Sequence, residues 1–186
     1  MTHVFPISTF APLWMTLIFL LAGCGSPVAV SDYISLKLSG IKDGDVKNGQ
    51  VSTDKNVNTE SGNPYAEFLR KVSLELNGAA PSVIEVDSVA LQVHSESKGI
   101  SDFGVLFTDI EIFISTSDTT VSLGTIEATT GSTVSLEEIT NENLDAVQSA
   151  MKTGSFSLGV RGDTQDLLPD DFDLKISLDV QFSAYP

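Results

Sequence analysis

The chain has 186 residues, with 10 Lys and Arg against 25 Asp and Glu, a formal charge of −15. One domain of that length buries roughly two thirds of the surface its unfolded chain exposes, so it folds without a disulfide framework, and its single cysteine could not supply one. The acidic balance, with no basic cluster against it, repels phosphate backbones and anionic lipid headgroups and excludes nucleic acid as a partner, while 41% hydrophobic and 19% charged residues exclude the disordered and collagenous classes.

Residues 1–31 contain no Lys, Arg, Asp or Glu, and the first charge is Asp32. Within them Phe10 to Ala22 (FAPLWMTLIFLLA) is a 13-residue apolar run interrupted only by Pro12 and Thr16. A bilayer-spanning helix needs about 20 apolar residues and a secretory apolar region only about 7–15, so the run fits the shorter element. Leu21-Ala22-Gly23-Cys24 follows at once. These four residues resemble the lipobox of bacterial lipoprotein precursors, which is Leu, a small residue, Gly or Ala, then Cys. Small side chains let an extended segment enter a protease cleft, and the thiol is the nucleophile to which a diacylglyceryl group is joined.

The resemblance implies cleavage between Gly23 and Cys24, so that 1–23 is a signal peptide and Cys24 is the lipid attachment site, with palmitate among the acyl chains. The mature protein would keep 163 residues, reach the membrane through the lipid on Cys24 and reside in the cell envelope. Where Gram-negative lipoproteins are sorted by the next position, Gly25 in place of Asp implies the outer membrane. The leading segment MTHVFPIS departs from such precursors in having the terminal amine and His3 as its only basic groups. The alternative is an uncleaved transmembrane or buried core segment with an ordinary buried Cys24.

After Cys24, the uncharged stretch to Ser31 reads as a lipidated tether (24–31) and residues 32–186 as the folded domain. Ile34, Leu36 and Leu38 alternate with Ser35, Lys37 and Ser39, the period of a half-buried strand. A long polar loop spans 42–63; a stretch of that length is disordered, functional or hides an edge strand around Gly49 to Thr53. Ala66, Phe68, Arg70, Val72, Leu74 and Leu76 share one parity and are expected to form a strand ending in an Asn77-Gly78 turn. Further strands are expected at Val89–Val93, Ile110–Ile114, Val121–Ile126 and Phe156–Val160. The clearest runs from Phe172 to Phe182, where every second residue is apolar without exception.

One helix is expected at 141–152. Leu144, Val147 and Met151 lie on one face, Glu142 and Asp145 fall in the first turn, Lys152 in the last, and Gly154 caps the end. About seven strands and one short helix predict an all-β chain, an antiparallel β-sandwich, with a small barrel as the runner-up. The segment SVALQVHSESKGISDFGVLFTDIEIFIST, the helix and the closing strands loosely resemble uncharacterised bacterial lipoproteins with β-sandwich-like domains over Val86 to Phe182. That resemblance implies a fold and no activity.

Beyond Cys24, the mature chain has one histidine, His94, and no second thiol, so multi-His and Cys–His sites are excluded by inventory. His94 falls on the polar parity of its strand and reads as a surface residue. Two acidic groups carry enough oxygen ligands for a hard cation: Asp43, Asp45, Asn48 and Asp54, and Asp166, Asp170, Asp171 and Asp173. Neither has the spacing of a helix-loop-helix calcium site, and both read as solvated turns, so no metal or cofactor is expected. Arg161-Gly162-Asp163 matches an adhesive tripeptide and also ordinary turn chemistry. Phe68, Phe107, Phe156, Phe172 and Phe182 are expected in the core; Tyr33, Phe113 and Tyr185 are expected exposed. The expected function is a lipid-anchored envelope protein whose sandwich is a non-catalytic structural or binding module for an envelope protein or glycan. The alternatives are a carboxylate-dependent glycan hydrolase and a calcium-dependent adhesive domain.

Overall fold

Period-two alternation is the dominant signal in this chain, and strands are what it builds. The computed structural model describes residues 29–127 and 130–186. The expected signal peptide 1–23, Cys24 and most of the tether lie outside the described residues. Ten strands are present among those described: β1 (Val30–Lys37), β2 (Ile41–Lys42), β3 (Gln50–Val57), β4 (Val83–Val93), β5 (Asp109–Ser115), β6 (Thr120–Glu127), β7 (Thr133–Leu136), β8 (Phe156–Asp163), β9 (Asp173–Leu174) and β10 (Ile176–Tyr185). Two helices accompany them, α1 (Pro64–Glu75) and α2 (Gln148–Thr153).

The strands form two four-stranded antiparallel sheets, ordered β1-β10-β4-β7 and β3-β8-β5-β6, with β2 and β9 pairing as a short ribbon. Their apolar faces share one core, so the architecture is sandwich-like. β10 runs through the centre of the first sheet, and Phe172, Leu174, Ile176, Leu178, Val180 and Phe182 are all buried as the alternation requires. Opposite it, β4 changes parity. Val86 pairs with Phe182 and Ser88 with Gln181, leaving Asp87 as the extra residue of a bulge. Ile84 and Val86 therefore point inward on one side of Asp87, and Val89 and Leu91 on the other.

Residues 64–75 form a helix where alternation predicts a strand. Asn63 caps it, its side-chain oxygen accepting from Tyr65 N at 3.0 Å, and Pro64 occupies the first helical position, where its missing N–H costs nothing. Asn77 adopts a left-handed conformation (φ 53°), Asn77 N donates to Leu74 O and Gly78 N to Ser73 O, closing the C-terminus. The buried set is Tyr65, Phe68 and Val72, one face of a helix, whereas Arg70 and Leu74 of the alternating set are exposed. Burial of an aromatic face overrides the apparent alternation. Tyr65 packs edge-on against Phe156 and Phe182, with ring centroids 4.9 and 5.1 Å apart, and its hydroxyl donates to Met151 O at 2.9 Å.

The expected helix at 141–152 begins as a 3-10 turn over Asn141–Val147 and continues as α2. Leu144, Val147 and Met151 are buried, and Gly154 closes it at φ 63°. Within the polar stretch 42–63, β3 is an edge strand. Val51, Thr53 and Val57 are buried on its inner parity, and Lys55, on the same parity, is exposed; a charge at such a position discourages pairing with a foreign strand. β1 starts at Val30, two residues before the expected domain start. Among the described residues no helix is long and apolar enough to cross a membrane.

Candidate functional site

The outer face of the second sheet carries an open concavity of about 870 Å³ lined by residues of β3, β5, β6 and β8 and of the turn before β3. Register builds it row by row. Ser52, Arg161, Glu111 and Thr125 stand side by side across the four strands, and in the next row Gln50 faces Asp163 while Asp109 faces Glu127. Adjacent positions of opposite charge lock together: Arg161 Nε donates to Glu111 Oε2 at 2.7 Å and Nη2 to Oε1 at 2.9 Å, a two-pronged pair with matched planar geometry. The guanidinium holds the Glu111 carboxyl below the usual carboxylate range, and Glu111 raises Arg161 in return.

Other carboxylates of the recess are also committed. Gln50 Nε2 donates to Asp163 Oδ1 at 2.8 Å, Asp163 N to Asp109 Oδ1 at 3.2 Å, and Lys42 N to Asp45 Oδ2 at 2.8 Å. Such a surface offers fixed charges and hydrogen-bonding groups in set positions. Glu111 itself is shifted away from the range a general acid needs at neutral pH.

Phe113 was expected exposed and is only 6% exposed, although it points away from the core. Arg161 lies over its ring, 5.4 Å from the centroid, and Gly159 lies beside its edge; a Cβ on that glycine would come 2.6 Å from Phe113 Cζ. The arginine and the missing side chain together cover the ring. Tyr33 is exposed, Tyr185 half-buried, and the five core phenylalanines are buried.

The Arg161-Gly162-Asp163 tripeptide lies in β8, an interior strand of its sheet, and is not a protruding loop. A Cβ at Gly162 would come 2.1 Å from Asp109 O, so glycine is required there by close strand approach. His94 follows β4 directly, half-buried, its Nδ1 accepting from Glu96 N at 3.2 Å. Beside it Glu96 Oε2 receives Lys37 Nζ at 2.8 Å and Lys175 Nζ at 3.2 Å, and the two ammonium groups pull its carboxyl down to about 2.

The two acidic groups stay dispersed: among the described residues no three His, Cys, Asp or Glu side chains gather as a metal site. Asp173 pairs with Lys98 through both backbone groups, at 2.8 and 3.0 Å, and its Oδ1 is buried against Gly40 without a hydrogen-bond partner. Cys24, the expected lipid attachment site, lies outside the described residues.

No protein-family model matches the chain, and no curated protein matches it. Among solved structures it is similar to Desmodium yellow mottle tymovirus, at 10% identity and a TM-score of 0.31 over 98% of this chain and 95% of that one. It is likewise similar to the empty head of turnip yellow mosaic virus, at 8% identity and a TM-score of 0.31 over 99% and 90%, and to turnip yellow mosaic virus, at 12% and 0.31 over 87% and 95%. Likenesses at a TM-score of 0.31 carry no weight for what this chain does.

Proposed function

We propose that this chain is a lipid-anchored cell-envelope protein whose sandwich is a non-catalytic structural or binding module. The observation that carries the anchor is Leu21-Ala22-Gly23-Cys24 placed directly behind a short apolar run and ahead of every charged residue. Two or three acyl chains hold a protein on a membrane stably, whereas one does so only marginally. The paired, hydrogen-bonded groups of the outer-face recess support a binding role over a catalytic one. An envelope protein or glycan carrying hydrogen-bond donors is the class of partner that such a rim of carboxylates fits.

The experiment is metabolic labelling with tagged palmitate in a bacterial host. The wild-type chain incorporates label and partitions into the detergent phase, and Cys24→Ala does neither. Label retained in the Cys24→Ala variant would overturn the anchor.

A further inference from the structure

If Cys24 bears the lipid, the five chain steps from it to Ala29 span at most about 18 Å, so one end of the sandwich is held at the bilayer. The end is identified by register. Val30 pairs with Ala184 and Lys37 with Ser177, so the anchored end is the one where β1 begins and β10 finishes, while the Lys37 end lies roughly 25 Å further out. At the anchored end α1 lies beside β1: Lys71 Nζ donates to Ser31 O at 3.1 Å and reaches Asp32 Oδ2 at 3.3 Å.

The helix face turned away from the core carries Glu67, Arg70, Lys71, Ser73, Leu74 and Glu75. Arg70-Lys71 is the only adjacent pair of cations in the chain, and Arg70 pairs with Glu67 at 2.8 Å. Leu74 is 66% exposed and Tyr33, on the outer side of β1, is 68% exposed. An exposed leucine and an exposed tyrosine beside an ion-paired arginine and lysine match the water–lipid boundary, where a tyrosine ring sits among headgroups and the aliphatic stems of Arg and Lys lie along the apolar surface. Among the described residues the most exposed large hydrophobic side chain, Leu167, lies in the opposite setting, within residues 162–174, which hold five Asp and no Lys or Arg. A second copy of a chain with charge −15 is a poor occupant for the helix face, whereas the tether brings lipid to it in every molecule.

We propose that the exposed face of α1 and the start of β1, through Tyr33, Arg70, Lys71 and Leu74, rest on the phospholipid headgroups of the membrane that holds Cys24. This rests on the lipid-anchor reading and adds an orientation: the acidic 162–174 segment points away from the bilayer.

The test uses the mature acylated protein reconstituted in vesicles of the zwitterionic phosphatidylethanolamine and phosphatidylcholine that contain a brominated phospholipid as quencher. The sulfur of an acylated Cys24 is blocked as a thioether, so an environment-sensitive fluorophore labels one introduced thiol, in Leu74→Cys, Tyr33→Cys or Asp170→Cys. The expected result is blue-shifted, quenched emission at 74 and 33 and unquenched emission at 170, with quenching at 74 reduced when Arg70→Glu and Lys71→Glu are added. Quenching at 170 as strong as at 74, or none at any position while the protein still floats with the vesicles, would overturn the orientation alone. Wild-type protein that fails to float with the vesicles would overturn the anchor and the orientation with it.

Discussion

Asn141 stands beside Val86 as a neighbouring strand would: Val86 N donates to its Oδ1 at 3.0 Å, and its Nδ2 donates to Val86 O at 2.9 Å. Gln148 repeats the arrangement on Ile84, at 3.0 and 2.7 Å. β7 covers this edge of β4 only from Val89 to Gln92, so two side-chain amides satisfy the backbone where the short strand does not reach. Asn141→Ala and Gln148→Ala should each cost about 1–3 kcal/mol, because each strands a part-buried donor and acceptor. Urea unfolding of the variants measures this. Asn141→Asp should not restore full stability, since a carboxylate can accept from Val86 N but cannot donate to Val86 O.

The inward parity of β10 is tested by neighbours. Ile176 is fully buried and Ser177 is part-exposed opposite Lys37 and Gln92. Ile176→Ala should cost about 2–5 kcal/mol and Ser177→Ala under about 0.5 kcal/mol. Equal losses in the two denaturation curves would contradict the register.

Glu96 sets an acid limb. Its ordinary value is 4.5, and Lys37 and Lys175 lower it in the folded chain to about 2. Between those values the folded form stays ionised while the unfolded chain takes up a proton. The stability from the pair is therefore fully present above about 4.5 and is lost as pH falls toward 2. Glu96 is exposed, so salt screens the effect. The stability difference between wild type and Glu96→Gln should shrink as pH is lowered from about 5 to 2, and shrink at neutral pH as salt is added. A difference independent of pH would contradict the ion pairs.

Strands were legible in long runs of constant parity with one face buried, as from Ile176 to Phe182. The expected strand from Phe172 is broken at Lys175, with Asp173–Leu174 pairing in a separate ribbon, and the short β7 was not read. Parity reading failed where geometry interrupts it: the bulge at Asp87 hides Ile84 and Val86 from the alternation of Val89 and Leu91. At α1 the alternation was accidental. Asn63-Pro64 before the segment and Asn77-Gly78 after it are start and stop signals of a helix, and Tyr65, outside the alternating set, was the residue that marked the buried face. The recess was not legible, since nothing local says that Glu111 and Arg161, fifty positions apart, stand side by side. The burial of Phe113 depends on the same distant arginine and on a glycine one strand away.

The lipid on Cys24 is the claim on which localisation and orientation both depend, and the mass of the mature N-terminal peptide tests it most directly. Peptide mapping of protein recovered from bacterial membranes should find a chain that begins at Cys24 and carries a diacylglyceryl group, with or without a further acyl chain on the amine. An N-terminal peptide that retains Ala22 and Gly23, or one that begins elsewhere with Cys24 unmodified, would contradict it.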